Sequence, residues 1–554
     1  MGRSAPFTPA RPVRGALVIA AVVSAFLAAP AAAWAHAALL RTFPAASAQV
    51  DTPPAQLRLV YDEAVEPRFA VVSVTDAAGR QQVDGAVRRS GADPYALEVP
   101  LARSPRGWYL VVWRVVSADG HPVEGAFTYR IGPDPGPPPR FGVPSLSETA
   151  VTPGLIALRW LTFLSFMSAI GLFVLRTLVA RSLGDRLRRV TVAFGIASAV
   201  ALVATPAYVL LATAQFASRS FWSFGALVPL MDVSAFGRGY LRLEELFALF
   251  AGAAAIAVRL DRPRRPVAAL VALSGALLAA GAVLLVPGAA GHAAQTPPRA
   301  ASLLLDWSHL AAGSVWLGGL LGLLVLWPVP LAAVRRFSDL ALGSVIVLLG
   351  SGVGAAVVHL PTLSSLWQTG YGKAILVKAS LLAAAMLVAA VNLVRTRRGA
   401  APLLQTVVTE IVLLAAAVVA AAVLSSLPPP PRALASLGTP AASVGPGPVR
   451  ATVEREGYRV EVRITPNAVA VPDMLTVRLS RNGAPVRGAT VIATFSMLDM
   501  EMPAQAYRLG EAAPGRYERS SEALVMVGRW GVTLAIRPRG ETGFDVAVID
   551  HAQG

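Results

Sequence analysis

The chain has 554 residues, of which 55% are hydrophobic and 15% charged, with a formal net charge of +17 and no cysteine. The apolar composition excludes a single water-soluble domain, and the missing cysteine excludes a disulfide framework, a thiolate metal site and a cysteine nucleophile. Much of the positive excess lies in short loops between apolar segments, which points away from nucleic acid and towards a membrane.

The chain opens with Arg3, Arg11 and Arg14, then an apolar core at 15–30, then Ala33-Trp34-Ala35. This pattern predicts a secretory signal peptide, 1–35, with an A-x-A cleavage site. Cleavage after Ala35 makes His36 the first residue of the mature chain. The core is short for a full span, which disfavours an uncleaved anchor.

Residues 36–132 read as a β domain. Runs rich in Val, Leu, Tyr and Trp occur at 56–61, 70–75, 95–101, 108–116 and 125–131, separated by turn formers such as Asp76-Ala77-Ala78-Gly79. Short strands at this spacing predict an immunoglobulin-like antiparallel β-sandwich. A Pro-rich linker, 133–152, follows.

Eight apolar spans are expected in 153–426, at 153–178, 190–213, 241–259, 267–288, 303–328, 339–360, 374–394 and 403–426. Their connections differ in charge. The odd-numbered ones hold Arg181, Arg186, Arg188, Arg189, Arg259, Arg262, Arg264, Arg265, Arg335, Arg336, Arg395, Arg397 and Arg398; the even-numbered ones hold only Arg219, Arg238, Arg299 and Lys373. The basic side stays in the cytoplasm. An even span count then puts both flanking domains outside, in agreement with the signal peptide. A bacterial inner (plasma) membrane protein is expected, multi-pass, with its soluble domains on the periplasmic side.

Residues 427–449 are rich in Pro, Gly and Ala and read as a linker. From 450 to 554 a second β-sandwich is expected. Around a Glu456-Gly457 turn, Tyr458, Val460, Val462 and Ile464 should face one way and Arg459, Glu461 and Arg463 the other. Further strands are expected at 475–479, 489–495, 507–509, 516–519, 531–536 and 544–549.

Three groups of residues point to metal chemistry. The first is His36 with Asp119 and His121. A terminal His offers its α-amine and its ring nitrogen to one ion, closing a chelate. Asp119 and His121 flank a glycine after a long strand, where a turn can carry both side chains. Nitrogens with a carboxylate oxygen in a plane suit Cu(II), with tetrahedral Zn(II) as the competitor. Taken alone, an Asp-Gly-His is an ordinary surface turn. The second group is His292, Asp306, His309 and His359, expected near the outer ends of their spans; Arg159 and Lys378 lie at similar depth. Ionisable groups in spans face a bundle interior or a pathway and pair with one another. The third is Met497, Met500, Met502 and Met526, soft thioethers that suit Cu(I), or else flexible packing.

The run Trp113-Arg114-Val115-Val116-Ser117-Ala118-Asp119-Gly120-His121-Pro122-Val123-Glu124-Gly125-Ala126-Phe127, with His36-Ala37 and Val60-Tyr61-Asp62-Glu63, resembles the periplasmic copper-binding CopC family. That resemblance implies a Cu(II) site of His36, Asp119 and His121. Some relatives add a Met-rich Cu(I) site, but 36–140 contains no Met. Gly291-His292-Ala293, Asp306-Trp307-Ser308-His309, Val315-Trp316-Leu317-Gly318-Gly319-Leu320 and Thr369-Gly370-Tyr371-Gly372-Lys373 resemble the CopD family of inner-membrane copper-resistance proteins. Gly483-Ala484-Pro485-Val486-Arg487-Gly488-Ala489 and Gly515-Arg516-Tyr517 are similar to YtkA-like modules.

The resemblance implies a fused copper-uptake protein that captures Cu(II) outside and imports copper through the bundle. Its expected partners are the copper ion, the lipid bilayer and a periplasmic copper chaperone, with no nucleic acid. Two other readings stay open. A haem-containing electron-transfer protein or metalloreductase would place haem b between histidines of neighbouring spans and show a Soret band. A sequestering tolerance module would need the N-terminal site but not His309. No phosphate-binding loop and no nucleophile–base pair is present, so no catalytic residues are expected.

Overall fold

The structure is a computed structural model. It describes residues 37–553 except 38, 47, 118–121, 134–151, 180, 262–266, 295, 428–429, 432, 439 and 500–503.

The first domain is built of two four-stranded sheets. Strands β1 (Leu39–Phe43), β2 (Gln49–Val50), β3 (Gln56–Tyr61), β4 (Val71–Asp76), β5 (Arg88–Arg89), β6 (Ala96–Pro100), β7 (Gly107–Val116) and β8 (Pro122–Ile131) follow in order. The sheets run β1-β3-β6-β5 and β2-β8-β7-β4. Leu57, Leu59, Val74, Val99, Val111, Trp113 and Phe127 are buried between them. The sequence located the five longer strands; β1, β2 and β5 are too short or too irregular in pattern to stand out. The longest pair, β7 and β8, is antiparallel and in register from Gly107↔Ile131 to Val116↔Pro122.

Eight long helices follow: α1 (Pro153–Val174), α2 (Leu187–Phe216), α3 (Ala235–Arg259), α4 (Val267–Ala289), α5 (Arg299–Val325), α6 (Leu331–His359), α7 (Gly370–Arg397) and α8 (Leu404–Leu424). Among the described residues seven of them, not the eight expected, are long and apolar enough to cross a membrane. The other, α3, carries Arg238, Arg242, Glu244 and Glu245 in its first half, and it packs along α2 and α4 as one more member of the bundle. Local chemistry sets the helix ends. Thr152 Oγ1 accepts from Leu155 N–H with Pro153 at the first position, Ser234 Oγ accepts from Gly237 N–H at 2.8 Å, and Thr369 Oγ1 accepts from Gly372 N–H at 3.0 Å. The fifth span was expected to reach 328; it stops at Val325, ahead of Pro328, which cannot continue a helix.

Residues 427–449, expected to be a linker, contain β9 (Ala442–Val444), which pairs in parallel with the last strand. The third domain then comprises β10 (Val449–Arg455), β11 (Tyr458–Thr465), β12 (Asp473–Arg481), β13 (Ala484–Pro485), β14 (Thr490–Met497), β15 (Gln505–Ala513), β16 (Arg516–Ser521), β17 (Gly528–Arg537) and β18 (Phe544–Ala552). In β11 the alternation holds: Tyr458, Val460, Val462 and Ile464 are buried while Arg459, Glu461 and Arg463 are exposed. Residues 505–509 of β15 pair with β14 and 510–513 with β16, so one strand joins the two halves of the sheet.

One acid in this domain has a pH consequence. Asp473 is buried and accepts from Asn467 N–H at 2.6 Å; Asp550 accepts from the Asn467 side chain at 3.0 Å. Burial raises Asp473 to about 7, against the pull of the Asn467 and Ala468 N–H groups and with further repulsion from Asp550. The folded domain therefore keeps a proton that the unfolded chain loses near pH 4, and stability should fall as pH rises from there to about 7, then level off. Hydrogen exchange of β12 should show that fall. Asp473→Asn should flatten it; an unchanged pH profile in the variant would remove Asp473 as the cause.

Candidate functional site

His36, Asp119 and His121 lie outside the described residues. Their neighbours are fixed. Ala37 N–H donates to Ser117 Oγ at 3.2 Å, and Ser117 Oγ donates to Glu63 Oε1 at 2.8 Å. The residue after His36 is thus tied to the residue two before Asp119. Ala37 and Ser117 are both buried.

Both β domains sit on the same end of the bundle. Ala126 N–H of β8 donates to Val525 O at 2.9 Å, and Thr128 Oγ1 donates to Ala470 O at 2.7 Å, joining the two domains directly. Phe69 packs edge-on against Phe216 at the end of α2, and Arg529 donates to Gln368 O between α6 and α7. Below these contacts lies a cavity of about 1350 Å³. Arg114, Pro122 and Glu124 of the first domain and Met497, Asp499 and Met526 of the third line its mouth; Arg159, Asp306, His309, His359, Tyr371 and Lys378 line its depth.

At the mouth, Glu124 is pushed up to about 7 by burial, with the Arg114 guanidinium pulling the other way. Met497 and Met526 are buried in the core of the third domain as well as facing the cavity. Gly528 (φ +145) leaves room for Met497 and Asp499: a Cβ there would lie 2.6 Å from Met497 Cε and 2.7 Å from Asp499 Oδ2. Met500 and Met502 lie outside the described residues.

In the depth, helix periodicity brings Asp306 and His309 to the same cavity, one turn apart. Trp307 Nε1–H donates to Gly281 O at 2.9 Å and pins α5 to α4. Asp306 rests on Gly288, where a Cβ would come within 2.5 Å of Oδ2. Ser351 Oγ donates to Val347 O at 2.6 Å, so it accepts from His309 Nδ1–H at 3.2 Å. This tautomer leaves His309 Nε2 as acceptor for the Lys378 ammonium at 3.3 Å. His359 Nδ1–H donates to Ala355 O at 2.8 Å. The His292 side chain is not among those described; its residue opens a short turn, His292–Ala294.

Asp306, His309 and His359 therefore share one cavity, yet no three His, Asp or Glu side chains among the described residues converge as a ready metal site. Both nitrogens of His309 already have protein partners. Sequence reading had Lys378 at the right depth but did not pair it with His309, because only the tertiary arrangement brings the Lys378 ammonium within 3.3 Å of that ring. It also missed Glu124, Tyr371 and Trp316. Trp316 is buried and, among the described residues, is the one that lines both this cavity and a second, of about 140 Å³, towards the arginine-rich end. That cavity holds Glu410, which accepts from the Asn392 amide and from Trp316.

Three family models match this chain in order: the CopC domain at 39–132, Copper resistance protein D at 331–424 and a YtkA-like domain at 452–535. The chain is 37% identical to protein YobA of Escherichia coli strain K12 over 123 residues, which are 22% of this chain and 96% of that one. It is 27% identical to the copper transport protein CutJ of Bacillus subtilis over 383 residues, 67% of this chain and 70% of that one. It is 31% identical to copper resistance protein C of Pseudomonas syringae pv. tomato over 107 residues, 18% of this chain and 84% of that one. A soluble copper-binding fold joined to a multi-pass bundle thus defines the class, and the chain belongs to the CopC–CopD family of copper-resistance membrane proteins, with a YtkA-like third domain.

Proposed function

We propose that this protein captures Cu(II) outside the inner membrane and imports copper through the helical bundle. His36, Asp119 and His121 form the capture site, supplied by a periplasmic copper chaperone. The ion passes to the cavity and along His292, Asp306, His309 and His359. Copper that arrives already reduced, as Cu(I), is taken by the thioethers of Met497, Met500, Met502 and Met526. The two β domains lie on the periplasmic side and the arginine-rich loops in the cytoplasm.

One observation carries this reading. Pro122, the residue after His121, lines the mouth of the same cavity whose depth holds His309. A capture site next to Pro122 would have only a short path to the bundle, which supports this reading. For copper to bind His309 Nε2, the Lys378 ammonium has to give way, so His309 suits brief transfer better than storage.

The test is copper accumulated by cells expressing the wild-type chain or His309→Ala at matched membrane levels. Wild type should raise cell copper severalfold over empty cells, and His309→Ala should return it to background. Equal accumulation by the two would take the intramembrane residues off the copper route and leave sequestration by the outer domain.

A further inference from the structure

Arg159 of α1 has no role in the route just described. It is buried, yet it lines the cavity. Nε donates to Tyr208 Oη at 2.6 Å, and the guanidinium lies 5.3 Å from the centre of the same ring. Nη1 donates to Ala422 O at 3.3 Å, Ser425 Oγ at 3.1 Å and Ser426 Oγ. Every one of these partners is neutral. The end of α8 adds at most about half an elementary negative charge. Nη2 has no hydrogen-bond partner among the described residues, and no described carboxylate pairs with this guanidinium.

The charge of the surrounding wall sharpens the point. Within the bundle the described residues that line the cavity include two cations, Arg159 and Lys378, against one carboxylate, Asp306. A buried guanidinium without an anion is costly, and intramembrane cations are ordinarily paired. The volume points the same way. A water takes about 30 Å³, and a bare ion with its first shell would leave most of about 1350 Å³ unfilled. Pockets for organic ligands run from roughly 300 to 1,000 Å³.

We infer that this cavity binds a carboxylate-bearing organic ligand, with the carboxylate paired to Arg159 through Nη2. Charge-assisted pairing of this kind is the strong form of the hydrogen bond. The carboxylate has two sources with the same chemistry. One is a small organic acid, entering free or as a ligand of the copper ion. The other is the propionate of a haem lying towards His309 and His359. Arg114, Glu124 and Met497 of the β domains line the same cavity, so on that side its wall is built by the two β domains rather than by the bundle. The first source extends the copper-import reading, but binding of the free acid needs no copper, so either idea can fail without the other.

The experiment uses the full chain in phosphatidylcholine nanodiscs as wild type, Arg159→Gln and Arg159→Lys, each checked by size-exclusion elution. Absorbance is recorded as purified, and sodium citrate is titrated calorimetrically without metal. Saturable citrate binding that weakens at least tenfold in Arg159→Gln supports the site with a free acid as source. A Soret band that falls severalfold in Arg159→Gln supports it with a propionate as source. If Arg159→Gln elutes aggregated, the comparison is with Arg159→Lys: a threefold or greater weakening of either signal supports the site, and unchanged signals overturn it. The proposal is also overturned if neither signal is seen, if the variants match wild type, or if mass spectrometry finds only an anionic phospholipid held by wild type and lost from the variant.

Discussion

A single residue added ahead of His36 in the mature chain should weaken Cu(II) binding by about a hundredfold, equivalent to about 2.7 kcal/mol. The extension leaves the imidazole in place but turns the terminal amine into an amide, which is a poor donor. One nitrogen of the chelate is lost, together with the advantage of two donors held on one residue. The chain cannot slide to compensate, because Ala37 is buried and its N–H is held by Ser117 Oγ at 3.2 Å. The measurement is a Cu(II) titration against a competing chelator, with paramagnetic resonance to count the coordinated nitrogens. Unchanged affinity and an unchanged nitrogen count would show that the amine is not a ligand and that cleavage after Ala35 does not build the site.

Gly171→Leu should leave little folded protein in the membrane. Helices α1 and α5 cross here in backbone contact. A Cβ on Gly171 would lie 1.9 Å from Ser314 O and 2.7 Å from Gly318 Cα. These are backbone atoms, so no rotamer change relieves the clash; the helices must separate. Small residues at such crossings let backbones approach, and in a membrane that packing is a principal source of association. The cost should be about 4 kcal/mol or more, in the range reserved for gross core damage. Separation of α1 from α5 would also spread the walls that carry Arg159 and His309. Gly350→Leu is the control, since that glycine is exposed on α6 and a Cβ there would meet nothing within 4 Å. Comparable monodisperse yield of Gly171→Leu and Gly350→Leu in detergent would refute the crossing as a stability determinant.

Much of the architecture was legible in the sequence because its signals are local. Span length and strand alternation each depend on a few neighbouring residues, so the positions of seven apolar helices and the facing of β11 followed directly, while the charges of α3 keep that helix from counting as an eighth apolar span. The candidate site was legible only in part. Asp306 and His309 share a helix and a turn, which spacing alone reveals. The partner of His309 is 69 positions away, on α7, and no periodicity connects them. Glycines 318 and 319 could be noticed as a motif, but their purpose could not. Gly318 admits Gly171, and Gly319 admits Phe337, where a Cβ would lie 1.9 Å from the ring.

By itself the sequence determined a β domain, an apolar helical region and a second β domain in that order. It also determined a chemistry limited to histidine, carboxylate and thioether donors, because composition and short-range pattern decide those things. Only the tertiary structure decided that the two β domains touch each other and cap one end of the bundle. It alone placed Met497 and Met526 over the same cavity as His309, and left Arg159 facing that cavity among neutral partners. Those facts depend on contacts between residues hundreds of positions apart. Such contacts are set by how whole elements pack, and no local propensity encodes them.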